Sequence, residues 1–254
     1  MNNKGTPRVL FKENMKKFLS CALTALFTIS LFLTFGLIAI VVPATSPSFY
    51  KWQFEKYGVL TKVQNQSYRL SGSAKEYIEN ISSDELISLM SHVMRYCLFL
   101  ESDLNPTVNG ETLEVFREDE VSHMQDVKNV FGGGLTIIAV CLVIIAVSLV
   151  LYIIYRKGYY LNCRKVPLIT LAVLLGLLLL IALFAVIDFD LAFTIFHRLL
   201  FEGNWQFSSG VMVNLISYIF NDLVFIIAGI WGLLTALFIT LVILLNKKYK
   251  KSAL

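Results

Sequence analysis

The chain has 254 residues, of which 56% are hydrophobic and 16% are charged, and its mean hydropathy is +0.68. This composition is too apolar for an ordinary soluble domain of this length, so part of the protein surface must face lipid. The formal net charge of +4 comes from basic segments that flank apolar runs, so it reports membrane topology and does not indicate a nucleic-acid partner.

Uncharged windows rich in Leu, Ile, Val, Phe and Ala recur along the chain. They cover residues 18–50, 129–155, 166–187 and 223–246. Each window supplies the helix of about 20 residues that crosses roughly 30 Å of hydrocarbon. None alternates with a period of two, which excludes barrel strands. The sequence predicts an all-α integral membrane protein with four transmembrane helices and an extracytoplasmic cap between the first and second.

Lysine and arginine are concentrated at both ends of the chain and in the stretch RKGYYLNCRK. The positive-inside rule makes these segments cytoplasmic, so we expect a multi-pass plasma membrane protein with both termini inside. The predicted segments are, in order, a cytoplasmic tail (1–17), a first span (18–42), an extracytoplasmic cap (43–128), a second span (129–155), a cytoplasmic loop (156–165), a third span (166–187), an extracytoplasmic loop (188–222), a fourth span (223–246) and a cytoplasmic tail (247–254).

The four cysteines do not predict a disulfide framework. In this topology Cys21 and Cys141 lie in membrane helices, Cys163 is cytoplasmic and Cys97 alone lies outside. A single outer cysteine cannot cross-link its own domain. The cysteine spacing does not indicate a zinc site either.

Within the cap, the stretch ISSDELISLMSHVMRYCLF predicts a helix. Ser82 and Glu85 are spaced as a capping box, and six residues fall on one helical face: Leu86, Ile87, Met90, Val93, Met94 and Cys97. His92 points almost opposite that face, so we interpret it as a solvated residue without a role.

His123 stands in FREDEVSHMQDVKNVFGGG, about two helical turns before the second span. Asp126 at i+3, and Asp119 and Glu120 at i−4 and i−3, are spaced to bond one ring nitrogen on a helix. Such a carboxylate fixes the imidazole tautomer and makes the other nitrogen a better base. The alternative is a helix-capping or snorkelling residue at the membrane interface.

His197 stands in the aromatic stretch DFDLAFTIFHRLLFEGNWQFSSG. One interpretation is an aromatic belt with an incidental histidine. The other follows from the predicted topology, which places His197 at the same membrane depth and on the same side as His123. Two imidazoles that meet at an aromatic interface suit acid/base chemistry on a lipid-borne group.

HMQDVK at 123–128 and FHRLLFEGNW at 196–205 resemble the two signature stretches of the bacterial lipoprotein intramolecular transacylase family. The layout of four helices with a large first outer segment and a smaller second one matches as well. One departure concerns the residues after Trp205. An aspartate is expected there, leading into the final helix, whereas this chain has FSSGVMVNLI, with Asn214 as the nearest candidate.

The resemblance implies a reaction on diacylglyceryl-modified lipoproteins within the membrane lipid. The sn-2 acyl chain moves to the α-amino group of the N-terminal cysteine and leaves a lyso-form lipoprotein. No metal, nucleotide or other cofactor is needed, because the acyl group is already activated as an ester.

Within this resemblance we assign His123, oriented by Asp126, as the base that deprotonates the ammonium group. His197 is then the partner that stabilises the oxyanion or protonates the departing oxygen, and the two roles are interchangeable. Asn204 is assigned as a hydrogen-bond donor to the ester carbonyl. The predicted pocket residues are Phe196, Phe201 and Trp205.

Two other functions stay open at the level of sequence. A membrane lipid or ester hydrolase at the outer face would use the same histidines to activate water. A non-catalytic membrane binding module would use the cap to bind another protein, and the lack of an obvious serine, cysteine or threonine nucleophile favours it.

Overall fold

The computed structural model describes residues 7–154, 163–201, 206 and 209–251. The helices are α1 (Pro7–Ala44), α2 (Pro47–Tyr57), α3 (Val59–Gln64), α4 (Gly72–Asn80), α5 (Ser83–Cys97), α6 (Glu118–Ile154), α7 (Val166–Ile187), α8 (Phe189–Leu200), α9 (Val211–Ile216) and α10 (Phe220–Lys251). A short antiparallel hairpin joins β1 (Thr107–Val108) to β2 (Glu111–Thr112). Its turn residues Asn109 and Gly110 both have positive φ, as a two-residue hairpin turn requires.

Four helices, α1, α6, α7 and α10, are long and apolar enough to cross a membrane. Helix α6 has 37 residues and is therefore about 55 Å long, which exceeds the roughly 30 Å of hydrocarbon. Its charged residues all precede Asn129, so residues 129–154 are the uncharged part that is apolar enough to cross a membrane. The predicted all-α integral membrane protein with four transmembrane helices is confirmed.

Two compact units make up the chain. The bundle unit comprises Met1–Leu37, Ile137–Ile187 and Ile230–Leu254, and the cap unit comprises Ile38–Thr136 and Asp188–Gly229.

In the bundle unit, α1 and α10 are fastened by Trp231. Its indole nitrogen donates a hydrogen bond to the Phe32 carbonyl at 3.0 Å, and its ring covers Gly36 so closely that a Cβ there would lie 2.9 Å from it. Most other apolar side chains of this unit face outward. Only 6% of the most apolar stretch of α7 is buried inside the protein. The rest of this stretch is suited to contact with lipid.

The bundle unit also pairs Cys21 with Cys163 as a disulfide. The sequence analysis placed these cysteines in separate segments and predicted no bond between them, which was wrong. Packing of α1 beside the start of α7 brings their Cα atoms to 5.2 Å. Cys97 and Cys141 are free and buried.

The cap unit has its own hydrophobic core. Residues of α2 to α6 and of α9 contribute to it, with Tyr50, Ile78, Leu86 and Leu215 among its fully buried members. Since Leu215 comes from the segment after the third span, two distant parts of the chain build one core.

Helix α5 has the predicted start and the predicted buried face. Ser82 Oγ accepts from the Glu85 N–H at 3.3 Å, and the Glu85 carboxylate accepts from the Ser82 N–H at 2.8 Å, which completes the capping box. His92, interpreted from the sequence as a solvated residue without a role, is half-buried. Its Nε2 lies 3.0 Å from the Asp103 carbonyl oxygen in a solvent-exposed contact, so it is partly solvated but has a partner in the loop after α5.

Candidate active site

His123 lies in the second turn of α6, and the first turn is held by its own carboxylates. The Val121 N–H donates to the Arg117 carbonyl at 2.8 Å, which makes Arg117 the N-cap. The Glu120 carboxylate accepts the Arg117 N–H at 3.0 Å, as the third residue of a capping box does. The histidine therefore projects from a helix start whose orientation is fixed.

His197 lies near the end of α8, which Asp188 caps by accepting the Leu191 N–H at 2.9 Å. The side chain is buried, and its Nδ1 lies 2.8 Å from the Phe193 carbonyl oxygen. Because a carbonyl oxygen only accepts, Nδ1 carries the hydrogen of this bond. In the neutral ring, Nε2 is then the nitrogen that accepts a proton.

The structure brings both histidines together with two of the predicted pocket residues. The imidazole centroids are 6.4 Å apart, with ring planes 18° from parallel. The Phe201 ring lies 4.9 Å from His123 and 5.1 Å from His197, so it contacts both. The Phe196 ring lies 5.3 Å from His197.

Phe193 is a pocket residue that the sequence analysis did not assign. Its ring centroid is 3.9 Å from that of His197, the shortest ring separation around either histidine among the described residues. The signal was present, since Phe193 precedes His197 by four residues and shares its helix face.

Electrostatics favour a neutral His123. Burial and the facing His197 lower the pKa of His123, and the nearby Asp126 carboxylate opposes them with a smaller effect. The sequence predicted that Asp119 and Glu120 could bond to the His123 ring. Both carboxylates bind Arg117 instead. The guanidinium donates to the Asp119 carboxylate at 2.9 and 3.0 Å. Asp126 is thus the acid that acts on the histidine.

Two predicted site residues, Asn204 and Trp205, lie outside the described residues. Asn214, considered for the aspartate before the final helix, donates from its Nδ2 to the Gly210 carbonyl at 2.8 Å.

An aspartate, Asp222, lies in the first turn of the final helix, α10. Its carboxylate accepts hydrogen bonds from Gln53 at 2.7 Å, Tyr57 at 2.9 Å and Lys56 at 2.8 Å. An acid in the first turn of an apolar helix was the available signal, but its partners lie far away in sequence.

Glu120 also joins the start of α6 to the segment before α9. The side chain is 0% exposed, and burial raises its pKa, while the backbone N–H groups of Arg117 and Met212 favour the ionised form. Gly210 packs directly on it, since a Cβ on Gly210 would lie 2.1 Å from Glu120 Oε1. Arg117 reinforces this junction by donating from Nη1 to the Ser209 carbonyl.

Comparison with known proteins identifies the family of the chain. The sequence profile of the lipoprotein intramolecular transacylase Lit family matches residues 25–221. No curated protein sequence is similar enough to match the chain.

Solved structures of the integral membrane lipoprotein intramolecular transacylase Lit from Bacillus cereus share the fold. One has a TM-score of 0.65 at 17% identity and covers 92% of this chain and 99% of that one. A variant with a histidine replaced by alanine has a TM-score of 0.64 at 14% identity, with 94% and 98% of the two chains covered. A variant with a histidine replaced by arginine has a TM-score of 0.62 at 14% identity, covering 96% and 98%.

Fold and family profile together define a multi-pass membrane acyltransferase. The chain belongs to the lipoprotein intramolecular transacylase family, which confirms the family expected from the two histidine stretches.

The contact between Gly210 and Glu120 predicts that Gly210→Ala destabilises the protein. The added methyl group must displace a fully buried carboxylate, and overpacking of this kind costs about 1–3 kcal/mol. Thermal unfolding of the purified protein in detergent measures the loss. Gly133→Ala is the matched control, because a Cβ at Gly133 meets nothing within 4 Å. Equal unfolding temperatures for Gly210→Ala and Gly133→Ala would contradict the proposed packing.

Proposed function

We propose that this protein transfers the sn-2 acyl chain of a diacylglyceryl-cysteine lipoprotein to the α-amino group of the same cysteine, with His123 and His197 as the acid/base pair. The observation that carries the proposal is the facing of the two imidazoles at 6.4 Å, with Phe201 beside both rings. Two rings at this separation can both reach one tetrahedral carbon placed between them.

The proton transfers follow from the state of each ring. Neutral His123 accepts a proton from the substrate ammonium group, and the freed amine attacks the ester carbonyl carbon. The carbon–nitrogen bond forms as the carbonyl becomes an oxyanion. The nitrogen of this intermediate then loses its second proton to the histidine pair. Collapse breaks the bond to the sn-2 oxygen, which takes a proton from the pair and becomes the free glyceryl hydroxyl, so one proton is released overall.

His197 is suited to transfer a proton to the departing sn-2 oxygen. Its Nδ1 is committed to the Phe193 carbonyl at 2.8 Å, so Nε2 is the nitrogen that exchanges protons with the substrate. A protonated Nε2 stabilises the oxyanion or gives its proton to the departing oxygen. Exchange of the two roles uses the same geometry with the direction of proton flow reversed.

Confinement accounts for the intramolecular course. The amine and the ester belong to one substrate, and their reaction passes through an eight-membered ring that closes reluctantly in solution. Ring closure costs conformational entropy. When the pocket holds both ends of the substrate, that cost is met on binding and no longer adds to the barrier of the chemical step. Phe193, Phe196 and Phe201 line the histidine pair with apolar rings, which disfavours water as a competing nucleophile.

The remaining assignments follow from the family resemblance. Asp126 orients and polarises His123, and Asn204 and Trp205 complete the pocket on the side of the second signature stretch. The substrates are diacylglyceryl-modified lipoproteins within membrane lipid. The acyl ester is its own activated donor, so the steps above require neither a metal ion nor a nucleotide.

We further propose that both termini are cytoplasmic and that the histidine pair lies at the outer leaflet interface. The distribution of lysine and arginine over 1–17, 156–165 and 247–254 supports this orientation. His123 precedes the spanning segment 129–154 by about two helical turns, a position at the edge of the hydrocarbon. The proposed spans are residues 18–42, 129–155, 166–187 and 223–246, with residues 43–128 and 188–222 outside the cytoplasm.

Replacement of either histidine by asparagine is expected to reduce acyl transfer at least about 100-fold, because general acid/base groups contribute at this level. The measurement is mass spectrometry of the N-terminal peptide of an abundant lipoprotein, in cells without N-acyltransferases that express each variant. Active protein conserves the total mass and yields an amide-linked acyl chain with a free glyceryl hydroxyl.

His92→Gln is the matched control for these variants, since His92 lies on α5 and bonds to the Asp103 carbonyl. Equal amounts of folded protein in the membrane must be verified for all three. Full transfer by both His123→Asn and His197→Asn would favour a binding module, and loss of one acyl chain from the lipoprotein would indicate a hydrolase.

The orientation is tested with reporter fusions. Alkaline phosphatase is active only outside the cytoplasm, so we expect activity when it is inserted after Gly110, in the exposed hairpin turn, and none when it follows Leu254. A green fluorescent protein fused after Leu254 should fluoresce. The reverse pattern would overturn the proposed topology without bearing on the chemistry.

A further inference from the structure

The bundle unit contains a cavity of about 270 Å³ that is remote in sequence from the histidine stretches. Residues of α1, α6 and α10, together with the start of α7, line it, among them Leu23, Phe27, Ser148, Arg164 and Phe238. Its walls are mainly apolar.

Ser148 forms part of the buried wall of this cavity. The residue is 7% exposed, and its Oγ has no hydrogen-bond partner among the described residues. Because the Oγ atom is itself covered, Ser148 shapes the wall and does not offer a hydrogen bond to a bound molecule.

The rim of the cavity is cationic. Arg164 lines it and is exposed, and Lys165 and Lys247 are exposed next to the same segments. Asn246 Nδ2 donates to the Arg164 carbonyl at 3.1 Å, which fixes the backbone of the arginine against α10. Glu13 is the only acidic residue in the sequence of the bundle unit, so little opposes the positive potential at this rim.

We propose that the cavity binds one acyl chain of an anionic glycerophospholipid. The acyl chain occupies the apolar slot, and the phosphate lies at Arg164 on its cationic rim. The site differs from the substrate site in the cap unit, and no acyl transfer takes place in it.

The charge of the lipid head, and not its chain, sets the preference. Acyl chains already surround the protein, so burial of one more chain gains little over contact with bulk lipid. A basic residue near the membrane surface attracts an anionic lipid by an amount that corresponds to about a five-fold change in affinity. We therefore expect one bound lipid for each chain and a preference for the anionic head.

The test is native mass spectrometry of the full-length protein, delipidated in detergent and titrated with dioleoyl phosphatidylglycerol or dioleoyl phosphatidylcholine. The wild-type protein should bind one phosphatidylglycerol in preference to phosphatidylcholine. Arg164→Gln should lower that preference about five-fold. Ser148→Leu, which adds bulk to the cavity wall, should weaken binding of both lipids.

Two variants serve as controls. Arg69→Gln removes the same charge from the cap unit, and Thr240→Leu also replaces a hydroxyl side chain by leucine, but on an exposed helix face. Both should bind phosphatidylglycerol like the wild-type protein. Equal binding of the two lipids by the wild-type protein would overturn the proposal. So would an undiminished preference in Arg164→Gln, or binding by Ser148→Leu that equals binding by Thr240→Leu.

Discussion

The core of the cap unit is built jointly by two parts of the chain that a membrane span and a loop separate in sequence. Leu215 and Met212, which follow the third span, are buried in the same cluster as Tyr50 and Leu86 from the first outer segment. Apolar burial of this kind is the dominant stabilising term in folding. It fixes the segment after α8 against the start of α6, so the positions of His123 and His197 depend on it. The polar contacts of Glu120 also fix how these packed segments are oriented.

The environment of the histidine pair is consistent with acyl transfer between parts of one substrate. Aromatic rings surround the imidazoles, and burial lowers the pKa of His123. The Phe193 carbonyl fixes the orientation of His197 through Nδ1. A preorganised pair of this kind contributes through geometry, because reactants held in position avoid the entropy of encounter. The same rings that hold the histidines apart from water also limit hydrolysis.

Much of the fold was predictable because membrane spans and helix caps are local signals. The four apolar helices and the capping box at Ser82 follow from composition and spacing within one segment. The sequence also predicted that His123 and His197 meet, since both were assigned the same membrane depth. Other contacts between distant segments could not be predicted. The packing of Gly210 on Glu120 and the pairing of Cys21 with Cys163 depend on how helices lie beside each other, which no periodicity encodes. The partners of Asp222 were missed for the same reason.

The most direct test of the central claim is a crossover experiment with the purified protein. Two synthetic diacylglyceryl-cysteine peptides are mixed, one with an unlabelled sn-2 chain and the other with a different peptide mass and a deuterated sn-2 chain. Intramolecular transfer predicts that every N-acyl group stays with its original peptide, so only the two matched products form. Mixed products would contradict the account and indicate transfer between molecules, and free fatty acid with two lyso-peptides lacking an N-acyl group would indicate hydrolysis.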